Sequence, residues 1–202
     1  MNIGIDVDGV LSDIQGFNRK HAPPFFMKHY GRSVVDETPY DIRDIFACSA
    51  DEHRAYWTKY LLKYATLEPA RKGSKAFTRK LCADGHKIFI ISKRVFTCQE
   101  NFLGKLMRFL LKNWLWRNRI KHDEIVFCDN DISDSKGTAC LEKKIDVMID
   151  DEIVNIEAIA PIAKVICFDA TYNRDCEGEN IMRAKNWDEA YMLIKGLVHL
   201  YE

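Results

Sequence analysis

The sequence predicts an α/β fold, with a parallel five-stranded sheet and helices on both faces. Strand-like apolar runs fall at 2–6, 87–91, 125–128, 145–149 and 164–168, with helical patterns between them. Such alternation belongs to a mostly parallel sheet covered by crossover helices. At 202 residues the chain can bury one core, or a core carrying a small inserted domain. Right-handed crossovers would bring the carboxyl ends of all strands to one edge.

The first run, Asn2-Ile3-Gly4-Ile5, leads straight into Asp6-Val7-Asp8-Gly9, two carboxylates one residue apart and then a glycine. Ligands of open α/β sheets sit outside the carboxyl ends of the strands, where Asp6 and Asp8 are expected. One carboxylate could attack phosphorus while the other handles a proton, with Mg2+ screening the charge between them. A hairpin turn at Asp8-Gly9 is the alternative, but Val10-Leu11-Ser12-Asp13 makes a poor return strand.

The gap to the second run is too long for one crossover. Residues 73–84 can form the crossover helix, closed by Gly85, which leaves about 15–72 as an insertion. There Ser49 and Glu52 have capping-box spacing ahead of a helix near 50–64, and Pro23-Pro24 and Pro39 punctuate shorter segments before it. The second run ends in Ser92, followed by Lys93 and Arg94. Over 102–116, Leu103, Leu106, Met107, Leu110 and Trp114 share one helical face, with Lys105, Arg108 and Lys112 opposite. Six basic and no acidic residues lie between 101 and 122. A basic amphipathic helix can lie on a membrane, but a sheet-covering helix with a solvated back is the expectation here. Lys136 lies fourteen residues before Asp150, and the run 145–149 ends in the pair Asp150-Asp151.

Composition narrows the function classes. Lysine plus arginine equals aspartate plus glutamate at 30 each, so no basic field argues for a nucleic acid polymer. Seven cysteines without a CxxC pair argue against a disulfide framework or zinc site and fit a reducing compartment. A strand starting at residue 2 leaves no room for a signal peptide, and no uncharged apolar stretch of about twenty residues exists. A cytoplasmic protein without membrane contact is expected.

An aspartate pair, a Ser/Thr, a Lys and an acidic pair, in that order and at strand ends, resemble the four motifs of the haloacid dehalogenase superfamily of phosphatases. Within it, Asp6-Val7-Asp8-Gly9-Val10-Leu11-Ser12-Asp13 and Thr66-Leu67-Glu68-Pro69 resemble the 5'(3')-deoxyribonucleotidase group and its bacterial relatives. The resemblance covers roughly 2–17, 66–92 and 125–168. It implies a Rossmann-like catalytic core of residues 1–14 and 73–202, with 15–72 as a helical cap. It also implies that Asp6 is the nucleophile, forming an aspartyl-phosphate, and that Asp8 is the general acid and base. Ser92 and Lys136 would bind phosphoryl oxygens, with Lys143 and Lys144 as rivals for the lysine role. Mg2+ would take Asp6, the Asp8 carbonyl and Asp150, with Asp151 holding a metal-bound water. Lys93 and Arg94 could steer an anionic substrate.

These motifs touch only phosphoryl group and metal, so they leave the substrate open. The deoxyribonucleotidase group commonly places a base-stacking aromatic just after the position of Asp13, where this chain has Ile14. Tyr64, two residues before the Thr66-Leu67-Glu68-Pro69 match, is the expected replacement. The expected activity is a Mg2+-dependent phosphomonoesterase acting on a small phosphate ester, foremost a nucleoside 5'-monophosphate. The alternatives are a phosphatase for a sugar phosphate or other metabolite, and a catalytically idle Mg2+-binding or interaction module.

Overall fold

The computed structural model describes residues 1–201, with side chains to residue 198. In chain order the elements are β1 (Asn2–Ile5), α1 (Ile14–Tyr30), α2 (Ile42–Phe46), α3 (Ala50–Leu67), α4 (Ser74–Ala83), β2 (Lys87–Ser92), α5 (Phe102–Arg117) and β3 (Glu124–Phe127). Then follow α6 (Ser135–Glu142), β4 (Val147–Asp150), α7 (Ile153–Ile159), β5 (Lys164–Phe168), β6 (Ile181–Ala184) and α8 (Trp187–Tyr201). All neighbouring strands pair in parallel, in the order β3-β2-β1-β4-β5-β6. The chain winds outward from β1 in one direction, then returns to place β4 on its other side. A crevice between β1 and β4 results at the carboxyl edge, the usual ligand position of such sheets.

Strand residues alternate between two cores, as a period of two requires. Ile3, Ile5, Ile88, Ile90, Val147 and Ile149 pack with α4, α5 and α8 through residues such as Leu81, Trp114 and Ile194. Phe89, Ile91, Met148 and Val165 pack with α6 and α7 through Cys140, Ile156 and Ile159. Burial on both faces explains why the central strands read as unbroken apolar runs.

Among the described residues the sheet has six strands rather than the expected five. The sixth, β6, pairs only with β5 and is half-buried over most of its length. An edge strand needs no continuous apolar run, and Ile181-Met182-Arg183-Ala184 has none.

Helices α1, α2 and α3 gather Ala22, Phe25, Phe26, Ile42, Phe46 and Tyr56 into a cluster of their own. Pro23 and Pro24 do not interrupt it, contrary to the sequence expectation; α1 runs through both. The carbonyls they leave without donors belong to Arg19 and Lys20, four residues earlier. Both residues are exposed, so water can serve those carbonyls. The Ser49–Glu52 capping box is present in both directions, and α3 extends beyond residue 64 to Leu67.

Helix α5 covers the sheet, and its buried face keeps Met107 and Trp114 of the expected one but leaves Leu106 and Leu110 half-buried. Gly104, Met107, Leu111, Trp114 and Leu115 are buried, whereas Leu103 is exposed. Two contacts accompany this face. The indole Nε1 of Trp114 donates to the Glu68 carbonyl at 2.6 Å. Gly104 lies so close to the Gln99 carbonyl that a Cβ would fall 1.9 Å from its oxygen. No helix among the described residues is long and apolar enough to cross a membrane.

Candidate active site

Beyond β1 the backbone continues one step, with Asp6 N–H donating to the Ile149 carbonyl at 3.0 Å, and then folds back on itself. Ser12 N–H donates to the Val7 carbonyl at 2.8 Å and Gly9 N–H to the Ser12 carbonyl at 3.1 Å. The turn requires glycine twice over. Gly9 has φ +101°, and a Cβ there would meet the Asp151 carboxylate at 2.0 Å. Val7, Val10 and Leu11 are fully buried and anchor this loop, so its acids are set on a rigid base.

The sheet edge brings Asp6, Ser92, Lys136, Asp150 and Asp151 together, all nearly inaccessible to solvent. Lys136, in the first turn of α6, donates from Nζ to Asp6 Oδ1 and to Asp150 Oδ2, each at 2.6 Å. The rivals lie elsewhere: Lys143 pairs with Glu124 at 2.5 Å, and the Lys143 and Lys144 carbonyls accept from the Asn2 side chain. Asp150 Oδ1 accepts the backbone N–H groups of Asp151 and Glu152 at 3.0 and 3.1 Å. Tyr172 donates its hydroxyl to Asp151 Oδ2, and Asn173 Nδ2 holds the Asp151 carbonyl at 2.7 Å.

Carboxylate oxygens of Asp6, Asp150 and Asp151 lie within 4.8 Å of one another. One lysine faces three buried acids, and the charge imbalance shows in their proton affinities. Burial, opposed by Lys136 and reinforced by Asp150 and Asp8, pushes Asp6 up to about 7. Burial, then Asp6 and Asp150, push Asp151 well above the usual carboxylate range. Lys136 is raised, because Asp150 and Asp6 outweigh its burial. Asp151 Oδ1 is buried without a hydrogen-bond partner. An all-oxygen donor set, excess negative charge and an orphaned oxygen suit a hard divalent cation. Asp6, Asp150 and Asp151 could hold it.

Asp8 has separate surroundings. Arg94 forks onto it, with Nε 3.1 Å from Oδ2 and Nη2 on Oδ1. Tyr64 donates its hydroxyl to Oδ1 at 2.6 Å and lies 2.7 Å from Ser12 Oγ. Burial would raise Asp8, but Arg94, Tyr64 and Lys136 together hold it below its ordinary value. Arg94 is itself buried, so it does not stand in solvent as a substrate-steering charge would. Lys93 donates to the Ser133 carbonyl at 3.0 Å. Ser92 Oγ accepts the Arg94 N–H at 3.1 Å, leaving its own hydroxyl hydrogen free to donate.

Tyr64 is not placed to stack on a base. It is 3 % exposed, its ring lies against Phe17, Trp57 and the Arg94 guanidinium, and its hydroxyl is spent on Asp8. Tyr40, in the loop between α1 and α2, is half-buried rather than fully enclosed. Its hydroxyl is pushed up by burial first and then by Asp151, Glu152, Tyr172 and Asp8. Its ring meets that of Tyr172 at 5.0 Å and 71°. The two rings help line a cavity of about 530 Å³ with Thr38, Glu152, Val154 and Arg174. Gln15 Nε2 donates to Thr171 Oγ1 at 3.0 Å, linking the start of α1 to the loop after β5. No sequence motif marks Tyr172 or Thr171, although the loop after a parallel strand is where ligands of such sheets bind.

The profile of the family described as 5' nucleotidase, deoxy (pyrimidine), cytosolic type C protein matches residues 1–199. A nucleotidase of Clostridium acetobutylicum is 25% identical over 200 residues, covering 98% of this chain and 95% of its own length. A Chlorobaculum tepidum protein, provisionally named a 5'(3')-deoxyribonucleotidase, is 25% identical over 209 residues, covering 97% and 91%. The crystal structure of a HAD family hydrolase from Deinococcus radiodurans, with bound phosphate and sodium, superposes with a TM-score of 0.61. That pair shares 16% identity over 97% of this chain and 96% of the other, a likeness of fold.

Proposed function

The chain belongs to the cytosolic type C 5' nucleotidase family of the haloacid dehalogenase superfamily, and from that premise we propose that it is a Mg2+-dependent phosphomonoesterase working through an aspartyl-phosphate on Asp6. Nucleoside 5'-monophosphates are the leading substrates. The observation that carries the reading is the pairing of Asp6 and Asp150 through Lys136 in the crevice between β1 and β4. Phosphate monoesters hydrolyse so slowly unaided that enzymes supply up to about 10²¹-fold acceleration, and general acid catalysis gives only about 10²–10⁴ of it. A nucleophile, charge neutralisation and positioning must provide the rest, and this site has a group for each.

Asp6, Asp150 and the Asp8 carbonyl would hold Mg2+, with Asp151 supporting it through a water, and the ion would neutralise phosphoryl charge. Ser92 and Lys136 hold the phosphoryl oxygens. An Asp6 carboxylate oxygen attacks phosphorus as the bond to the leaving oxygen breaks, and Asp8 gives that oxygen its proton. Asp8, now a carboxylate, takes a proton from water as the water oxygen attacks phosphorus. The phosphorus–Asp6 bond breaks, releasing inorganic phosphate and restoring the Asp6 carboxylate. The proton count closes on a protonated Asp8; in the free protein Arg94, Tyr64 and Lys136 hold Asp8 ionised, so that proton arrives with the phosphate ester.

Residues 15–72 act as a helical cap over this centre, and the cavity at Tyr40 and Tyr172 receives the leaving group. The partner is a small phosphate ester, met in the cytoplasm. Phosphate release from a broad panel of phosphate esters, with and without Mg2+ and beside an Asp6→Asn control, tests the reading. Mg2+-dependent release that favours nucleoside monophosphates and vanishes in Asp6→Asn is expected. No release from any ester removes the phosphatase reading; release that favours sugar phosphates removes the nucleotide.

A further inference from the structure

The fork between Arg94 and Asp8 assigns a role that the four superfamily motifs do not contain. The Arg94 side chain is 3 % exposed and that of Asp8 17 %, so the pair is shielded from competing water. Both partners are held by their own supports. Arg94 donates its backbone N–H to Ser92 Oγ, and its carbonyl accepts the Thr97 hydroxyl at 2.6 Å and the Thr97 N–H at 3.2 Å. Its guanidinium lies 5.4 Å from the centre of the Tyr64 ring. Tyr64 in turn holds Asp8 Oδ1.

The two oxygens of Asp8 are unequally used. Oδ1 takes Arg94 Nη2 and the Tyr64 hydroxyl at 2.6 Å, with Ser12 Oγ at 3.5 Å. Oδ2 takes Arg94 Nε alone, at 3.1 Å. A carboxylate offers about four lone-pair positions, so Oδ2 is the oxygen left free to exchange a proton. A planar, bidentate guanidinium fixes the plane of a carboxylate as a single ammonium cannot.

We propose that Arg94 is the positioning residue for Asp8: bonded to both carboxylate oxygens, and with Tyr64 on Oδ1, it fixes the carboxylate plane and leaves Oδ2 as the oxygen that exchanges the proton. The proposal rests on Asp8 being the proton-transfer group of the phosphatase reading. Arg94 Nη1 is buried without a partner; in the role proposed, the arginine acts on the reaction through Asp8. Arg94→Ala should therefore cost turnover on the scale of a lost general acid, about 10²–10⁴-fold, with inorganic phosphate inhibiting within about threefold of its wild-type strength.

The test is a double-mutant cycle with Asp8→Asn, read as kcat on an alkyl phosphate. Residues that act as one unit lose their effect once, not twice. The double variant should fall within about threefold of the weaker single variant. Guanidinium ion in solution should raise the activity of Arg94→Ala and leave the double variant unchanged. Arg94→Lys should stay at least tenfold below wild type, since one ammonium cannot span two oxygens. If Arg94→Ala loses its native circular dichroism, Arg94→Gln takes its place in the cycle. Multiplying losses, or phosphate inhibition weakened tenfold or more, would show Arg94 acting directly on the phosphoryl group and overturn the proposal. Full activity of Arg94→Lys would reduce the role to charge and overturn it as well. A wild-type protein that releases no phosphate removes the phosphatase reading itself; an active one with multiplying losses removes only the role of Arg94.

Discussion

Lys136 and Asp6 stand 130 residues apart in sequence and 2.6 Å apart at the sheet edge, both buried. The same ammonium reaches Asp150, so one positive charge serves the ends of both strands that frame the crevice. Removing it would leave three buried acids facing one another. Breaking a buried charge pair from one side costs about 3–5 kcal/mol, so Lys136→Met should lower the melting temperature sharply in chelator. Mg2+ should recover part of that loss while turnover stays low. A melting temperature unchanged in chelator would show the acids to be already neutral.

Asp6→Asn should abolish turnover while keeping the fold, because an amide preserves the shape but cannot serve as the anionic nucleophile. Retention of more than a few per cent of activity would end the covalent mechanism.

The same substitution carries a pH signature. Burial first, with Asp150 and Asp8, raises Asp6 from 3.8 to about 7 in the folded protein. Between those values the folded state keeps a proton that the unfolded state has released, so the Asp6 contribution to stability falls as pH rises. Unfolding of the metal-free protein should show wild type losing stability relative to Asp6→Asn from about pH 4 to pH 7, by up to a few kcal/mol. Saturating Mg2+ should flatten the difference. A gap that is constant with pH would contradict a raised Asp6.

What the sequence discloses here follows from how locally each feature is determined. The run before Asp6 is legible because β1 is buried on both faces, which forces continuous apolar residues. Edge strand β6 lacks that requirement and left no pattern to read. Pro23 and Pro24 read as breakers because a local rule cannot weigh the packing of Phe17, Phe25 and Phe26 that carries α1 past them. The choice of Lys136 over Lys143 and Lys144 became visible only in space, since α6 directs one lysine inward and the following turn directs Lys143 to Glu124. The insertion is so rich in rings that spacing could not separate Tyr64 from Tyr40. Their difference is which way each faces, a tertiary property.

Asp150→Ala removes one carboxylate from the cluster of Asp6, Asp150 and Asp151. The Mg2+ concentration for half-maximal activity should rise roughly tenfold or more, since even the loss of an outer-sphere support costs about 10–100-fold in metal affinity. Asp150 also caps the turn that starts α7, through the N–H groups of Asp151 and Glu152. Asp150→Asn keeps an oxygen for those bonds and separates the two effects. Activity that persists in excess chelator would rule out the metal-dependent route.

The two tyrosines should part company in kinetics. Tyr40 is half-buried and lines the cavity beside Tyr172, the cavity proposed to receive the leaving group. Losing one base-stacking contact is worth about 1–3 kcal/mol, or roughly five- to 150-fold in relative kcat/KM. Tyr40→Ala should therefore weaken the preference for nucleoside monophosphates over a generic aryl phosphate by that factor, while the aryl phosphate itself changes little. Tyr64→Phe removes only the hydroxyl on Asp8 Oδ1. It should slow turnover of both substrates by a similar factor and leave the preference between them intact. Steady-state kinetics of both variants on both substrates measures this directly. Lost preference in Tyr64→Phe with none lost in Tyr40→Ala would return the base to Tyr64, against the burial of its ring.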